Sequence, residues 1–402
     1  MKDMKRTLAA LCCLLLAVSL LSTPAAAASD WTNIQDVVCL VGKTIALRGD
    51  GRVLCAGDLP AAAAQAIAGW RDIRRIELQG DDCYLVGYDS VGRVYLALLD
   101  EDAFIGRFEQ SDVSGWQAVR KVVLRGDFCF ALHNDGHFSW VVCGNEAADI
   151  ARKTSDWPAL SDIALDGYSL VVGLTPDGSV VATDYNALVE TGSYWGTGPA
   201  RLTDWTGIRQ IYCEQSCVYG VKQNSVVGMN RSGWSKINAL YFKSDSMFGL
   251  CSDGHVAANF YEYYDTDPRL QQIGTWRDIV QLGFDGAVRY VPVGLRRDGT
   301  IAAVSTYDGS EPYGEWIFNG WYGVKQLFSG QDYTIGLRQD GTLLVTGGEF
   351  DTVDYLRAVS TWDHVRCIYA AHGEYTDHIV ALRTDGTLVA AGDNSFGQCR
   401  VS

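Results

Sequence analysis

Apolar and polar positions along the chain repeat one seven-residue phrase: a Trp, two variable residues, an apolar residue, two more variable residues and a second apolar residue. It occurs at Trp31-Ile34-Val37, Trp70-Ile73-Ile76, Trp116-Val119-Val122, Trp157-Leu160-Ile163 and Trp205-Ile208-Ile211. It returns at Trp234-Ile237-Leu240, Trp276-Ile279-Leu282, Trp321-Val324-Leu327 and Trp362-Val365-Ile368. Nine copies spaced 29 to 48 residues apart tile the chain from residue 31 onward. Self-similarity at such a period marks a repeat architecture, in which each unit cannot bury its apolar face alone.

A second element follows each Trp by 16 to 20 residues and reads small-Leu-x-x-Asp-Gly. Seven units carry it: Ala46-Leu47 before Asp50-Gly51, Ala131-Leu132 before Asp135-Gly136, Gly173-Leu174 before Asp177-Gly178, Gly249-Leu250 before Asp253-Gly254, Gly294-Leu295 before Asp298-Gly299, Gly336-Leu337 before Asp340-Gly341, and Ala381-Leu382 before Asp385-Gly386. Two units depart from it, with Val91-Gly92 and Asn224-Ser225 at the turn. Asp-Gly between apolar runs predicts a hairpin with a two-residue type I′ turn, since Gly and Asp tolerate φ > 0. Each unit therefore holds a Trp-led strand, a two-stranded hairpin and a variable connection with room for a fourth strand. Three or four short strands per unit, repeated around the chain, predict an all-β fold, a single closed β-propeller of about nine short repeats. Seven or eight blades remain open, because the 29-residue unit from Trp205 could be incomplete. Helical repeats fail, because no 3.6-residue periodicity is sustained and Gly is frequent.

The first 28 residues read differently. Lys2, Lys5 and Arg6 precede an apolar run from Leu8 to Leu21, and Ser22-Thr23-Pro24 leads into four Ala. A basic start, an apolar stretch too short to span a bilayer and a small-residue site predict a signal peptide, residues 1–28, cleaved after Ala28. Residues 29–402 then form the propeller, in a product that is secreted, extracellular or of the cell envelope. Closure can be counted. Gly57 precedes Trp70, and Gly144 precedes Trp157, by 13 residues. Ten residues follow Gly392, and three from Ser29 to Trp31 restore that spacing. The N-terminus is thus expected to complete the last blade.

The best single unit is His378-Ile379-Val380-Ala381-Leu382-Arg383-Thr384-Asp385-Gly386-Thr387-Leu388-Val389-Ala390-Ala391-Gly392-Asp393-Asn394-Ser395-Phe396-Gly397-Gln398. It resembles the repeat of the regulator of chromosome condensation family in its short, secreted bacterial form. The other units lack the His and the Gly-Asp-Asn-x-Phe-Gly-Gln segment. The resemblance implies a propeller, and it implies inhibition of an extracellular enzyme as one form of binding. It places His378 at a structural position, with a ring nitrogen satisfying a backbone group. The nucleotide-exchange activity of the family's eukaryotic founder conflicts with export.

Charge changes the picture of partners. With 33 basic and 48 acidic residues the chain carries −15, and −17 once Lys2, Asp3, Lys5 and Arg6 leave with the leader. That balance argues against nucleic acid, which needs a basic face. Ten Cys in the mature chain are too few for a disulfide scaffold at this length. Cys55 and Cys143 read as small buried apolar residues, and Cys213 with Cys217 lacks a second pair for zinc. His364, His372 and His378 show no paired ligand spacing. No nucleophile elbow or phosphate loop is present, so no catalytic residue, metal or cofactor is assigned and no enzyme activity is expected.

The aromatics outside the repeat gather in the connections. Tyr194 and Trp195 share one, with Phe260, Tyr261, Tyr263 and Tyr264 in a second; Tyr307, Tyr313 and Trp316 lie in a third, with Phe350 and Tyr355 in a fourth. Glu190, Glu262, Asp265, Asp267, Glu311, Glu315, Glu349, Asp351 and Asp354 accompany them. Equivalent connections of a propeller emerge on one side, and Tyr and Trp dominate binding hot spots. The candidate ligand-binding residues are Tyr194, Trp195, Tyr261, Tyr263, Tyr264, Tyr313, Trp316, Phe350 and Tyr355. The competing reading is that these rings cover blade edges and pack locally. The expected function is a monomeric interaction module for an extracellular protein or glycan. The alternative is a carbohydrate-active propeller, weakened by the missing Ser-x-Asp-x-Gly-x-x-Trp box.

Overall fold

The computed structural model describes residues 30–103, 105–144, 146–165, 170–183, 202–214, 217–223, 225–228, 234–243, 246–259, 268–284, 292–304, 318–330, 333–347, 353–371 and 378–402. These form nine three-stranded antiparallel sheets, each built in chain order from inner to middle to outer strand. The inner strands are Ile34–Leu40, Ile73–Gln79, Val119–Arg125, Asp162–Leu165, Gln210–Glu214, Ile237–Lys243, Ile279–Phe284, Val324–Ser329 and Val365–Ala371. One sheet follows each repeat Trp, so the blade count is nine. The unit from Trp205 is complete, with a short outer strand Val226–Val227.

Nine separate apolar cores hold these sheets together, one at every junction. In the first sheet Ile45, Leu47 and Val53 point one way and meet Trp70, Ile73 and Ile76 of the second. Ile34, Val37 and Ala46 point the other way, as the period-2 geometry of strands requires. There they meet Val380, Leu382 and Leu388 of the ninth sheet. The equivalent positions fill every junction between these two. The ring is therefore closed by packing, and the alternation along each strand dictates it.

The Trp explains the small residue of the hairpin. A Cβ placed on Gly87, Gly249, Gly294 or Gly336 would lie 2.7–3.1 Å from the ring of its own unit's Trp. Nothing larger than Gly or Ala fits beneath an indole buried this closely.

The Asp-Gly turn differs from the type I′ expectation. Gly51 has φ +80°, but Asp50 has no positive φ, and the same holds in the other Asp-Gly turns. Gly51 N–H donates to Arg48 O, and Arg48 N–H to Arg52 O. This is the longer hairpin loop, a type I turn closed by a left-handed Gly. The Asp carboxylate instead accepts the N–H two residues on, as in Asp340 with Thr342 at 2.9 Å. The N–H and hydroxyl of Thr300, Thr342 and Thr387 hold Asp298, Asp340 and Asp385 below the usual carboxylate range. In the unit with Val91-Gly92, Asp89 supplies the missing carboxylate and accepts from Val91 and Arg93.

The same turn ties sheet to sheet. The turn Gly carbonyl accepts from the residue three after the next Trp at eight junctions, for example Gly51 with Ile73 at 3.0 Å. The series includes Ile34 N–H to Gly386 O at 2.9 Å, across the chain ends. The residue two after the Trp takes a left-handed φ in eight units, from Asn33 to His364, which lets the backbone turn under that Gly.

One further expectation is corrected. In the described residues the connections hold helices, such as Ala61–Gly69, Ala147–Thr154 and Val353–Val359, in place of a fourth strand. The run Ala61-Ala62-Ala63-Ala64-Gln65-Ala66 has high helix propensity and little β-branched content. The N-terminus completes the ring beside the last blade, as the spacing led one to expect, by packing against that sheet. It adds Trp31, Ile34 and Val37 to the core beside it, and Val401 from the other end joins them.

Candidate functional site

Register fixes which end of the ring each loop occupies. Leu40 pairs with Lys43, and Lys43 with Gly57, so the inner-to-middle turns and the outer-strand exits share one end. The Asp-Gly turns occupy the other. The connections carrying the candidate aromatics follow the outer strands Val180–Ala182, Val256–Asn259, Ile301–Ala302 and Leu343–Gly347. All four strands end at the first, loop-bearing end.

At that end a cavity of about 510 Å³ opens among the inner strands of sheets two to five. Its wall includes Gln79, Lys121, Arg125, Tyr212 and the turn Gly80-Asp81-Asp82. Long polar side chains bridge neighbouring inner strands here. Arg125 Nη1 donates to Leu165 O and Cys213 O at 3.5 and 3.3 Å, spanning two junctions. Lys121 Nζ reaches Asp162 at 2.6 Å and Ile163 O at 3.0 Å. Gln79 Oε1 accepts from Leu124 N–H. Backbone N–H and C=O groups on these free inner edges need partners, and the side chains supply them.

The rim is unusual. Gly80, Asp81 and Asp82 have φ +64°, +51° and +66° in succession. Two consecutive non-Gly residues in this region cost of order 1–2 kcal/mol each. Both aspartates are exposed. Burial of its carboxyl followed by the charge of Asp81 raises the pKa of Asp82. The Asp81 backbone carbonyl is approached by the Cys83 thiol at 3.6 Å. The turn thus presents two carboxylates beside a cavity whose lining also holds the cations Lys121 and Arg125 of the neighbouring inner strand.

Of the sequence candidates, Tyr194, Trp195, Tyr261, Tyr263, Tyr264, Tyr313, Trp316 and Phe350 lie outside the described residues. Tyr355 lies on helix Val353–Val359, half-buried, with its ring edge-on to Tyr333 at 6.5 Å. It packs against the core between sheets eight and nine. Lys121, Arg125, Asp81 and Asp82 were not among the sequence candidates. Their signal was charge at inner-strand positions that are apolar in other units, such as Arg125 where Leu40 and Ala371 stand.

His378 is buried and structural, as the resemblance implied, but its partner is a side chain. Its Nε2 lies 2.9 Å from Thr44 Oγ1, and that hydroxyl donates to Gln398 O at 2.8 Å. The hydroxyl proton is committed, so Nε2 carries the donor hydrogen. Burial lowers the His378 pKa to about 4 against a small opposing effect of Asp393. His364 is exposed beside Asp363, and His372 lies outside the described residues. Cys55 is half-buried and pushed up to about 12 by burial, which suits an inert packing role. Among the described residues no three His, Cys, Asp or Glu side chains cluster as a metal site would require.

The chain carries a regulator of chromosome condensation (RCC1) repeat. The match covers residues 375–398, the unit singled out by its sequence. No curated protein sequence matches the chain. Several solved structures overlay on it. The CRINKLY WD40 ectodomain of the Arabidopsis thaliana receptor kinase ACR4 is 12% identical, with 90% of this chain and 98% of that one covered at TM-score 0.36. BamB from Moraxella catarrhalis is 10% identical, with 89% and 96% covered at TM-score 0.38. Prp20p from Saccharomyces cerevisiae is 13% identical, with 78% and 72% covered at TM-score 0.32. At these scores the fold rests on the chain's own nine sheets and nine cores.

Proposed function

We propose that the protein is an exported, non-catalytic propeller that binds a protein or glycan at the loop-bearing end of its ring. The 510 Å³ cavity carries this reading. It has the size of ligand sites, which span about 300–1,000 Å³ and combine apolar walls with a few placed polar groups. Four sheets contribute to it, so a rigid frame fixes its geometry. The strained Asp81-Asp82 turn fits the tendency of backbone strain to gather at binding sites. Four of the aromatic connections leave the sheets at the same end, and Tyr and Trp are the residues that dominate binding hot spots.

The test compares the protein with an Asp81→Asn/Asp82→Asn variant and with Trp195→Ala and Trp316→Ala. A glycan array and affinity capture from the native surroundings identify the ligand, and circular dichroism verifies folding. All variants should fold, and at least the double variant should lose binding by about tenfold or more, as for truncated hot spots. Ligand recovered intact by mass spectrometry fits a binder, whereas cleaved glycan would establish the enzyme instead. Equal binding by every folded variant would refute the site.

A further inference from the structure

The opposite end of the ring carries a separate feature. In seven of the nine sheets the inner strand begins with a bulge, seen as a register shift between the residues three and five after the Trp. The residue between them is left unpaired and is re-aimed by the bulge. Around the ring from sheet eight through the chain ends to sheet five, the residue four after the Trp is Lys325, Arg366, Gln35, Arg74, Arg120, Ser161 and Arg209. The first five sit at such a bulge, Ser161 and Arg209 immediately precede unbulged strands, and the bulged residues of sheets six and seven are the uncharged Asn238 and Val280. Five of the seven are cations, in a chain of net charge −15, and all five are exposed. None has an ion-pair partner in the described structure.

What these side chains do touch is backbone. Arg120 reaches Ser161 O at 2.7 Å, Arg209 reaches Ile237 O at 3.3 Å, and Arg366 reaches Gln35 O at 2.8 Å. Each contact crosses to the next sheet, so neighbouring charges stand about one arginine's reach apart. Arg74 and Lys325 make no such contact. Carboxylates of the inner strands are engaged elsewhere: Asp36 accepts from Val37 N–H and Tyr369 hydroxyl, and Asp162 holds Lys121. The turn aspartates stand farther from the axis and serve their own hairpins.

We propose that this basic arc binds a multiply charged oxyanion, with clustered phosphate or sulfate groups, seated between the starts of the inner strands. Several forks from separate sheets suit a compact anion with oxygens in several directions. The arc spans the chain ends, so an anion held there would also bridge the junction between the first and ninth sheets.

Titration calorimetry of the protein with inositol hexakisphosphate and with sucrose octasulfate, at about 50 and about 300 mM NaCl, tests this. At least one probe should bind at low salt and weaken about tenfold or more at high salt. Binding of the hexakisphosphate alone identifies a phosphate ligand, of the octasulfate alone a sulfate ligand, and of both a site that reads charge density. Arg74→Gln/Lys325→Gln should weaken binding about tenfold with an unchanged Tm in the absence of anion, because neither side chain has a partner among the described residues. Lys325→Glu alone should give the same direction should the double variant be unstable. Lys153→Gln, on the distant helix Ala147–Thr154, should leave affinity unchanged. Failure of both probes to bind at low salt would overturn the proposal, as would equal affinity in the Arg74/Lys325 variant.

Discussion

Replacing Trp31 by Ala probes whether the ring is closed in solution. Trp31 is 2% exposed, beside Val380, Leu382 and Leu388 of the last sheet. Trp70 is 4% exposed in the matching core between the first two sheets. A buried Trp covers about 150–250 Å², and its truncation to Ala costs about 3–5 kcal/mol. In a closed ring both substitutions carry that full cost, because both remove the centre of an equivalent core. In an open array Trp31 would sit on a terminal unit that contacts only its own sheet. Its truncation would then cost under about 1 kcal/mol, since a terminal repeat lacks one neighbouring interface. Guanidinium unfolding followed by far-UV circular dichroism gives both values. Trp31→Ala and Trp70→Ala should lower stability by the same amount to within about 1 kcal/mol, each in one transition. A loss confined to Trp70→Ala would refute closure.

Two further outcomes follow from the junction geometry. Gly254 has φ +82°, and a Cβ there would lie 2.7 Å from Asp278 Cα of the next sheet. Gly254→Ala should cost more than about 2 kcal/mol from strain and overlap together, whereas Gly69→Ala, at a helix end with nothing within 4 Å, should be neutral or stabilising by up to about 1 kcal/mol; thermal unfolding of both would check the contrast. His378 is lowered by burial from 6.5 to about 4, so the unfolded chain binds the extra proton between those values. Stability should be level above pH 6.5 and fall by about 3 kcal/mol as pH drops toward 4. His378→Asn should flatten that window in a denaturant series across pH; a persisting slope would show that another group titrates there.

The nine units, their order and their closure were legible in the sequence because each demands a bulky indole at a fixed place. Trp needs a Gly or Ala beneath it, as Gly336 lies beneath Trp321, and that pair survives where connections vary. The turn was legible in position but not in type. Asp-Gly serves both a two-residue turn and the longer loop seen here, and only the carboxylate's bond to the N–H two residues on distinguishes them. Asp89 standing in for the absent turn aspartate illustrates the same point, since its substitution is visible only in space.

The candidate site was less legible. Aromatic residues in the connections were visible as composition, whereas Lys121 and Arg125 share one inner strand and Asp82 lies in the turn after another, up to 43 residues away. Nothing local marks residues that meet across sheets, because the distance between neighbouring inner strands is set by the ring. The sequence by itself determined the repeat, the strands and the face each apolar residue presents, all of which follow from periodicity and side-chain size. The tertiary structure added the contacts by which the chain ends are joined, with Thr44, His378 and Gln398 bonded across them. It also decided that polar residues of four sheets share one cavity and that cations at the starts of five inner strands share the opposite end. These are properties of closure, which brings together positions that the chain keeps far apart.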